Sequence, residues 1–131
     1  MAFKTNPVNW FEIPATDLSR STKFYESIFD IELKLQEMGP SLVGAPLKMA
    51  MFPGEKDASG ASGALVKSEG YTPSHQGPLI YFSVDNIENV LKKIERNGGK
   101  TLAPKSSIGE YGFIGLFEDP EGNRIGLHST K

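Results

Sequence analysis

Four side chains carry most of the chemistry this sequence could perform: Trp10, Glu12, Tyr81 and His128. Trp10 and Glu12 stand two apart in an otherwise apolar run, so on a strand they share a face. A carboxylate beside an indole on a core strand is costly unless it is paired, hydrated or engaged with a ligand. Glu12 therefore has two readings. It is a base with a raised pKa or an anchor for a cationic or hydroxylated ligand, or it is a partly exposed acid in a wet cavity, hydrogen-bonded to Tyr81 or His128. His128 is an acid/base partner of Glu12 or a metal ligand in an unusual place, or else a surface histidine on a fraying C-terminal strand. Trp10 and Tyr81 offer ring faces for a flat or cationic ligand, or simply fill a cavity. His75 falls in a Gly/Pro-rich stretch and is expected to face solvent or a subunit contact. Cysteine is absent, which removes thiolate nucleophiles, disulfides and zinc knuckles.

The elements that must position these residues follow from periodicity. Val8 to Pro14 alternates as a strand, with Phe11 and Ile13 on one side and Trp10 and Glu12 on the other. Asp17 then caps a helix to about Phe29, whose Ser21, Phe24, Tyr25, Ile28 and Phe29 follow the i, i+3, i+4 rule. Strands are expected over Glu32–Met38, Leu47–Phe52 and Gly63–Ser68, with a Gly/Ser/Ala-rich loop from Pro53 to Gly63. A linker, about residues 69–77, separates this module (about 7–68) from a second (about 78–130). The second opens with a strand over Leu79–Val84. A helix bearing Ile87, Val90, Leu91 and Ile94 follows and stops at Asn97-Gly98-Gly99. Strands over Lys100–Ala103, Tyr111–Phe117 and Arg124–Ser129 complete it, the last two joined by the turn Asp119-Pro120-Glu121-Gly122.

The two halves repeat weakly. Phe11, Ile13, Ala15 and Leu18 match Ile80, Phe82, Val84 and Ile87, and the caps Asp17 and Asn86 fall at the same step. The layout is βαβββ twice, an α+β fold with helices outside curved sheets. At 131 residues this is a single domain with room for a real core. A net charge of −2 with interspersed signs gives no basic stripe, so nucleic acid is not an expected partner. No apolar run approaches the roughly 20 residues needed to span a bilayer. Residues 1–7 lack a signal-peptide core, so a cytoplasmic protein is expected. Neither glycine-rich segment, Gly54–Gly63 or Gly109–Gly115, has the Gly-Lys-Ser/Thr ending of a phosphate loop; both are expected to be mobile rims.

Asp17-Leu18-Ser19-Arg20-Ser21 followed by Phe24-Tyr25, then Ser83-Val84-Asp85-Asn86, Asn97-Gly98-Gly99-Lys100 and Asp119-Pro120-Glu121-Gly122-Asn123 together resemble the vicinal-oxygen-chelate superfamily, which includes glyoxalase I, bleomycin-resistance proteins and extradiol dioxygenases. The resemblance implies a half-open, cup-shaped barrel, a homodimer, and in the enzymes a divalent metal held by the first and fourth strands of each module. A metal-binding member carries His or Gln seven residues before the capping residue; here those positions hold Trp10 and Leu79. Gly126 stands where a last-strand Glu is usual, and no carboxylate lies between Gly60 and Ser68. Indole nitrogen has no lone pair to give, and leucine and glycine offer no donor. No cofactor is therefore expected, and a divalent metal only at a non-standard site. If the ligand positions face the cup, strand parity places Trp10, Glu12, Tyr81 and His128 in it.

The expectation is a metal-independent protein that binds a partly apolar or aromatic small molecule in the cup. The alternatives are a lyase, isomerase or dioxygenase with a relocated site around Glu12 and His128, or a non-catalytic interaction or regulatory module.

Overall fold

A computed structural model describes residues 6–38, 46–55 and 57–131, the side chain of Met38 excepted. In chain order the elements are β1 (Trp10–Pro14), α1 (Leu18–Phe29), β2 (Lys34–Met38), β3 (Leu47–Met51), β4 (Ser62–Lys67), β5 (Tyr81–Ser83), α2 (Ile87–Arg96), β6 (Lys100–Ser107), β7 (Phe113–Glu118) and β8 (Arg124–Ser129), with a single 3₁₀ turn at Gly109–Tyr111. Two four-stranded sheets result, ordered β1-β4-β3-β2 and β5-β8-β7-β6. In each, the first strand pairs parallel with the fourth and the remaining pairs are antiparallel. The architecture is thus α+β, two βαβββ modules whose sheets do not close on each other. No helix among the described residues is long and apolar enough to cross a membrane.

Local signals act as the residue types dictate. The Asp17 carboxylate accepts from Arg20 N–H at 3.0 Å, and the Asn86 side chain accepts from Asn89 N–H at 3.0 Å. The second helix stops where Gly98 takes φ +92°, a left-handed conformation that suits glycine. Strand β6 runs on to Ser107, beyond the Ala103 expected from sequence. Register shifts between Thr101 and Ala103 and between Ala103 and Ser106 let the ladder pass Pro104, which has no N–H to donate. Strand β5 is shorter than its apolar run, because regular pairing begins only at Tyr81.

One face of each sheet packs under the helices. Ile13, Phe24, Tyr25, Ile28, Leu65, Ile87, Ile94, Phe117 and Leu127 are buried in one cluster, with Phe11, Ile80, Phe82 and Val90 packed against it. The modules meet through aromatic rings: Phe82 lies 5.6 Å from Phe11 and 4.8 Å from Phe29, centroid to centroid. Such pairs add about 0.5–1.5 kcal/mol each beyond their buried area.

The β7–β8 turn then grips the first module. Glu121, whose side chain has no exposed surface, accepts from Thr16 N–H (2.8 Å), Thr16 Oγ1 (2.9 Å), Asp17 N–H (2.8 Å) and Arg20 Nε (2.5 Å). Asp119 accepts from the Tyr25 hydroxyl at 2.8 Å and from Asn123, and Asn123 Nδ2 also donates to Pro14 O at 2.7 Å. Burial alone would raise the Glu121 carboxyl, but the donors from Arg20, Asp17 and Thr16 outweigh it and hold it below the usual carboxylate range. For Asp119, burial outweighs the hydrogen bonds from Asn123, Tyr25 and Glu121 N–H, and its pKa is raised.

Glu121→Ala should lower stability by about 1–3 kcal/mol, since it strips the acceptor from four donors at once; urea unfolding measures this. The sign of the pH dependence follows. A carboxylate depressed in the fold contributes stability above its unfolded pKa, and that contribution is lost as pH falls through its folded value. Asp119 works oppositely, because its raised value makes protonation easier in the fold. Glu121→Gln should therefore flatten the loss of stability below the usual carboxylate range. An unchanged acid limb would show that Glu121 is not the titrating clamp.

Candidate functional site

Strand parity puts Trp10 and Glu12 on the face of β1 opposite Phe11 and Ile13. On β5 it puts Tyr81 and Ser83 opposite Phe82. An open groove of about 1610 Å³ runs between the modules, lined by residues that include Trp10, Glu12, Tyr81, Ser83, Arg124 and His128, together with Phe11, Ile13 and Phe82 from the opposite faces. Trp10 and Tyr81 keep 38% and 43% of their surface exposed, unusual for large aromatic residues on strands.

Glu12 is held locally. The Trp10 indole N–H donates to its Oε2 at 3.1 Å, and the Tyr71 hydroxyl donates to its Oε1 at 3.1 Å. The donor is thus Tyr71, not the Tyr81 or His128 expected from sequence. Burial first, then the neighbouring Glu12 charge and hydrogen bond, raise the Tyr71 phenol above its ordinary value, so it remains a neutral donor. Tyr71 packs against Met49, Ala64 and Val66, which are buried on the Glu12 side of the first sheet, with Met51 beside them. Met49 and Met51 therefore back Tyr71.

His128 pairs with Ser83 and Ile114 in the ladder, so it belongs to a formed strand. Its Nε2 lies 2.6 Å from the Tyr111 carbonyl oxygen. A carbonyl only accepts, so Nε2 carries the proton and Nδ1 is the free nitrogen. No hydrogen bond or ion pair joins His128 to Glu12 among the described residues; each is held by its own partner. The Gly109–Tyr111 segment, expected as a mobile rim, forms a 3₁₀ turn stapled by Ile108 N–H to Gly112 O at 2.9 Å. His75 donates from Nε2 to Glu118 Oε1 at 2.8 Å, tying the linker to β7.

Gly126 does not leave the vacant space that a missing carboxylate suggests. The Tyr81 ring lies across it, and a Cβ at 126 would meet ring carbons at 2.4 and 2.5 Å. The donor set does not fit the divalent ion of metal-holding relatives. Trp10, Leu79 and Gly126 supply no donor atoms, and among the described residues no group of three or more His, Asp or Glu converges.

Two site residues escaped the sequence reading. Tyr71 sits in the linker, where no periodicity marks it. Arg124 was legible: it is two residues before Gly126 and shares its face, but the parity argument stopped at Gly126 and His128.

The chain belongs to the Glyoxalase/Bleomycin resistance protein/Dioxygenase superfamily, whose family model matches residues 8–127. It is 32% identical over 117 residues to a glyoxylase-like domain-containing protein of Didymella fabae, covering 88% of each chain. It is 29% identical over 125 residues to CFP32 of Mycobacterium bovis and of Mycobacterium tuberculosis. There it covers 95% of this chain but 46% of theirs, so it spans about half their length. Among solved structures it is similar to TnmS3, an antibiotic binding protein from Streptomyces sp. CB03234. That match has TM-score 0.64 and 25% identity, over 100% of this chain and 99% of the other. A glyoxylase/bleomycin resistance protein/dioxygenase domain from Frankia sp. EAN1pec matches in fold with TM-score 0.70 and 18% identity, over 98% and 100% of the two chains.

Gly126→Ala should displace the Tyr81 ring and lower stability by about 1–3 kcal/mol, the usual range for an overpacked site. Tyr81 ring resonances and chemical unfolding together test this. Unmoved Tyr81 signals in a fully stable variant would contradict the packing described.

Proposed function

We propose that this member of the superfamily binds a planar, partly apolar small molecule in the groove between its modules, without a divalent metal. The observation that carries the reading is the pair Trp10 and Tyr81. Both present exposed ring surface to one groove, and neither is needed by the core on the other face. Ring faces bind flat ligands by stacking and apolar contact. Glu12 is the polar edge of the wall and orients the Trp10 indole by accepting its N–H, with Tyr71 holding Glu12 from outside the groove. The likeness to an antibiotic binding protein along the full length of both chains supports the same role. The emptied donor positions favour binding that does not depend on metal.

Trp10 is the single tryptophan of the chain, so its fluorescence reports the groove alone. Titration with planar aromatic compounds should change the emission saturably, and Trp10→Phe or Tyr81→Ala should weaken binding by about 1–2 kcal/mol. Prior treatment with a chelator should leave the titration unchanged. No saturable response across a panel of such compounds, or a response abolished by the chelator, would count against the proposal.

The working form is proposed to be a homodimer in the cytoplasm. Strand β2 ends its sheet with Leu35 two-thirds exposed, the kind of edge that a second copy would cover. Light scattering at micromolar concentration should return twice the chain mass; a monomer mass would contradict it.

A further inference from the structure

Arg124 is a charged groove residue that the reading above does not use. It shares the β8 face of Gly126 and His128, which pair with Tyr81 and Ser83 on β5. It lines the groove with Ser74 and Gln76 from the linker. Its Nε is buried and has no protein hydrogen-bond acceptor, and among the described residues its guanidinium makes no ion pair. The natural partner would be Glu118, its cross-strand neighbour, but a Glu118 carboxylate oxygen is already bound to His75 at 2.8 Å. Of the other charged groups on the groove wall, Glu12 is engaged by Trp10 and Tyr71. Asp85 and Lys93 also line the groove.

A guanidinium stays charged at all working pH values and presents N–H donors in a planar fork that matches a carboxylate. A guanidinium on a groove wall with no protein counter-ion among the described residues gains from an arriving anion. We infer that the groove takes a planar aromatic ligand bearing a carboxylate, with Arg124 anchoring the carboxylate and Trp10 and Tyr81 flanking the ring. The inference rests on the small-molecule reading above and adds the charge of the ligand and the residue that selects it.

Naphthalene-2-carboxylate and naphthalene-2-carboxamide differ in charge and little else, and form the matched probe pair. The single Trp10 indole N–H resonance, followed by NMR, reports both titrations. The expected result is that the wild-type chain binds the carboxylate at least about tenfold more tightly than the amide, as a charge-assisted contact implies. Arg124→Gln should erase that preference while leaving amide binding in place, and Arg124→Lys should retain part of it. Equal binding of acid and amide by the wild type overturns the anion anchor alone, as does a preference that survives in Arg124→Gln. If neither compound moves the Trp10 resonance at millimolar concentration, the small-molecule reading fails and the anchor with it. The acid–amide comparison in the wild type needs no variant, so a poorly folded Arg124→Gln would not blunt the test.

Discussion

The carboxylate of Glu121, buried against the start of α1, is the contact on which the rest of the structure depends. It belongs to the β7–β8 turn of the second module, yet all four of its donors lie in the first, at Thr16, Asp17 and Arg20. It thereby supplies acceptors for N–H groups at a helix N-terminus, where unsatisfied donors and the helix dipole both favour negative charge. Its neighbours Asp119 and Asn123 extend the grip to Tyr25 in α1 and to Pro14 at the end of β1. The second module thus fixes the exit of β1 and the entry of α1 together. Two sheets that share no ladder are held in one orientation by a polar turn and a seam of aromatic rings.

That orientation decides which side chains meet. With Pro14 tied to Asn123 and Phe11 against Phe82, the core faces of β1 and β5 join one cluster, Phe82 meeting Tyr25 and Phe29 of α1. The period of two then puts Trp10 and Glu12 on β1, and Tyr81 and Ser83 on β5, on the faces opposite Phe11, Ile13 and Phe82, and the groove is lined from both faces. Gly126 completes the arrangement by letting the Tyr81 ring lie flat across β8. The space a side chain at 126 would take is thus occupied by the Tyr81 ring.

Much of this was legible in the residues. The repeat between Phe11-Ile13 and Ile80-Phe82, the caps Asp17 and Asn86, and the stop at Gly98 are local signals, and each produced the expected element. The positions where metal-binding members carry donors could be named from the family resemblance, Trp10 and Leu79 by counting back seven residues from the caps. The long-range contacts were not legible. Asp119-Pro120-Glu121-Gly122 reads as a turn from sequence, and nothing local shows that Glu121 reaches Thr16 across 105 positions. Tyr71, in an aperiodic linker, finds Glu12 only through the tertiary fold. Arg124 was legible by the same parity as Gly126 and His128, but its lack of a protein ion pair among the described residues shows only in the tertiary fold.

The most direct test is where a bound aromatic ligand sits. Intermolecular NOEs between a saturating planar aromatic carboxylate and assigned protein side chains would locate it. The account predicts contacts to the Trp10 and Tyr81 rings, with the carboxylate-bearing end nearest the Arg124 side chain. Contacts confined to residues outside the groove, with Trp10 and Tyr81 silent, would contradict it.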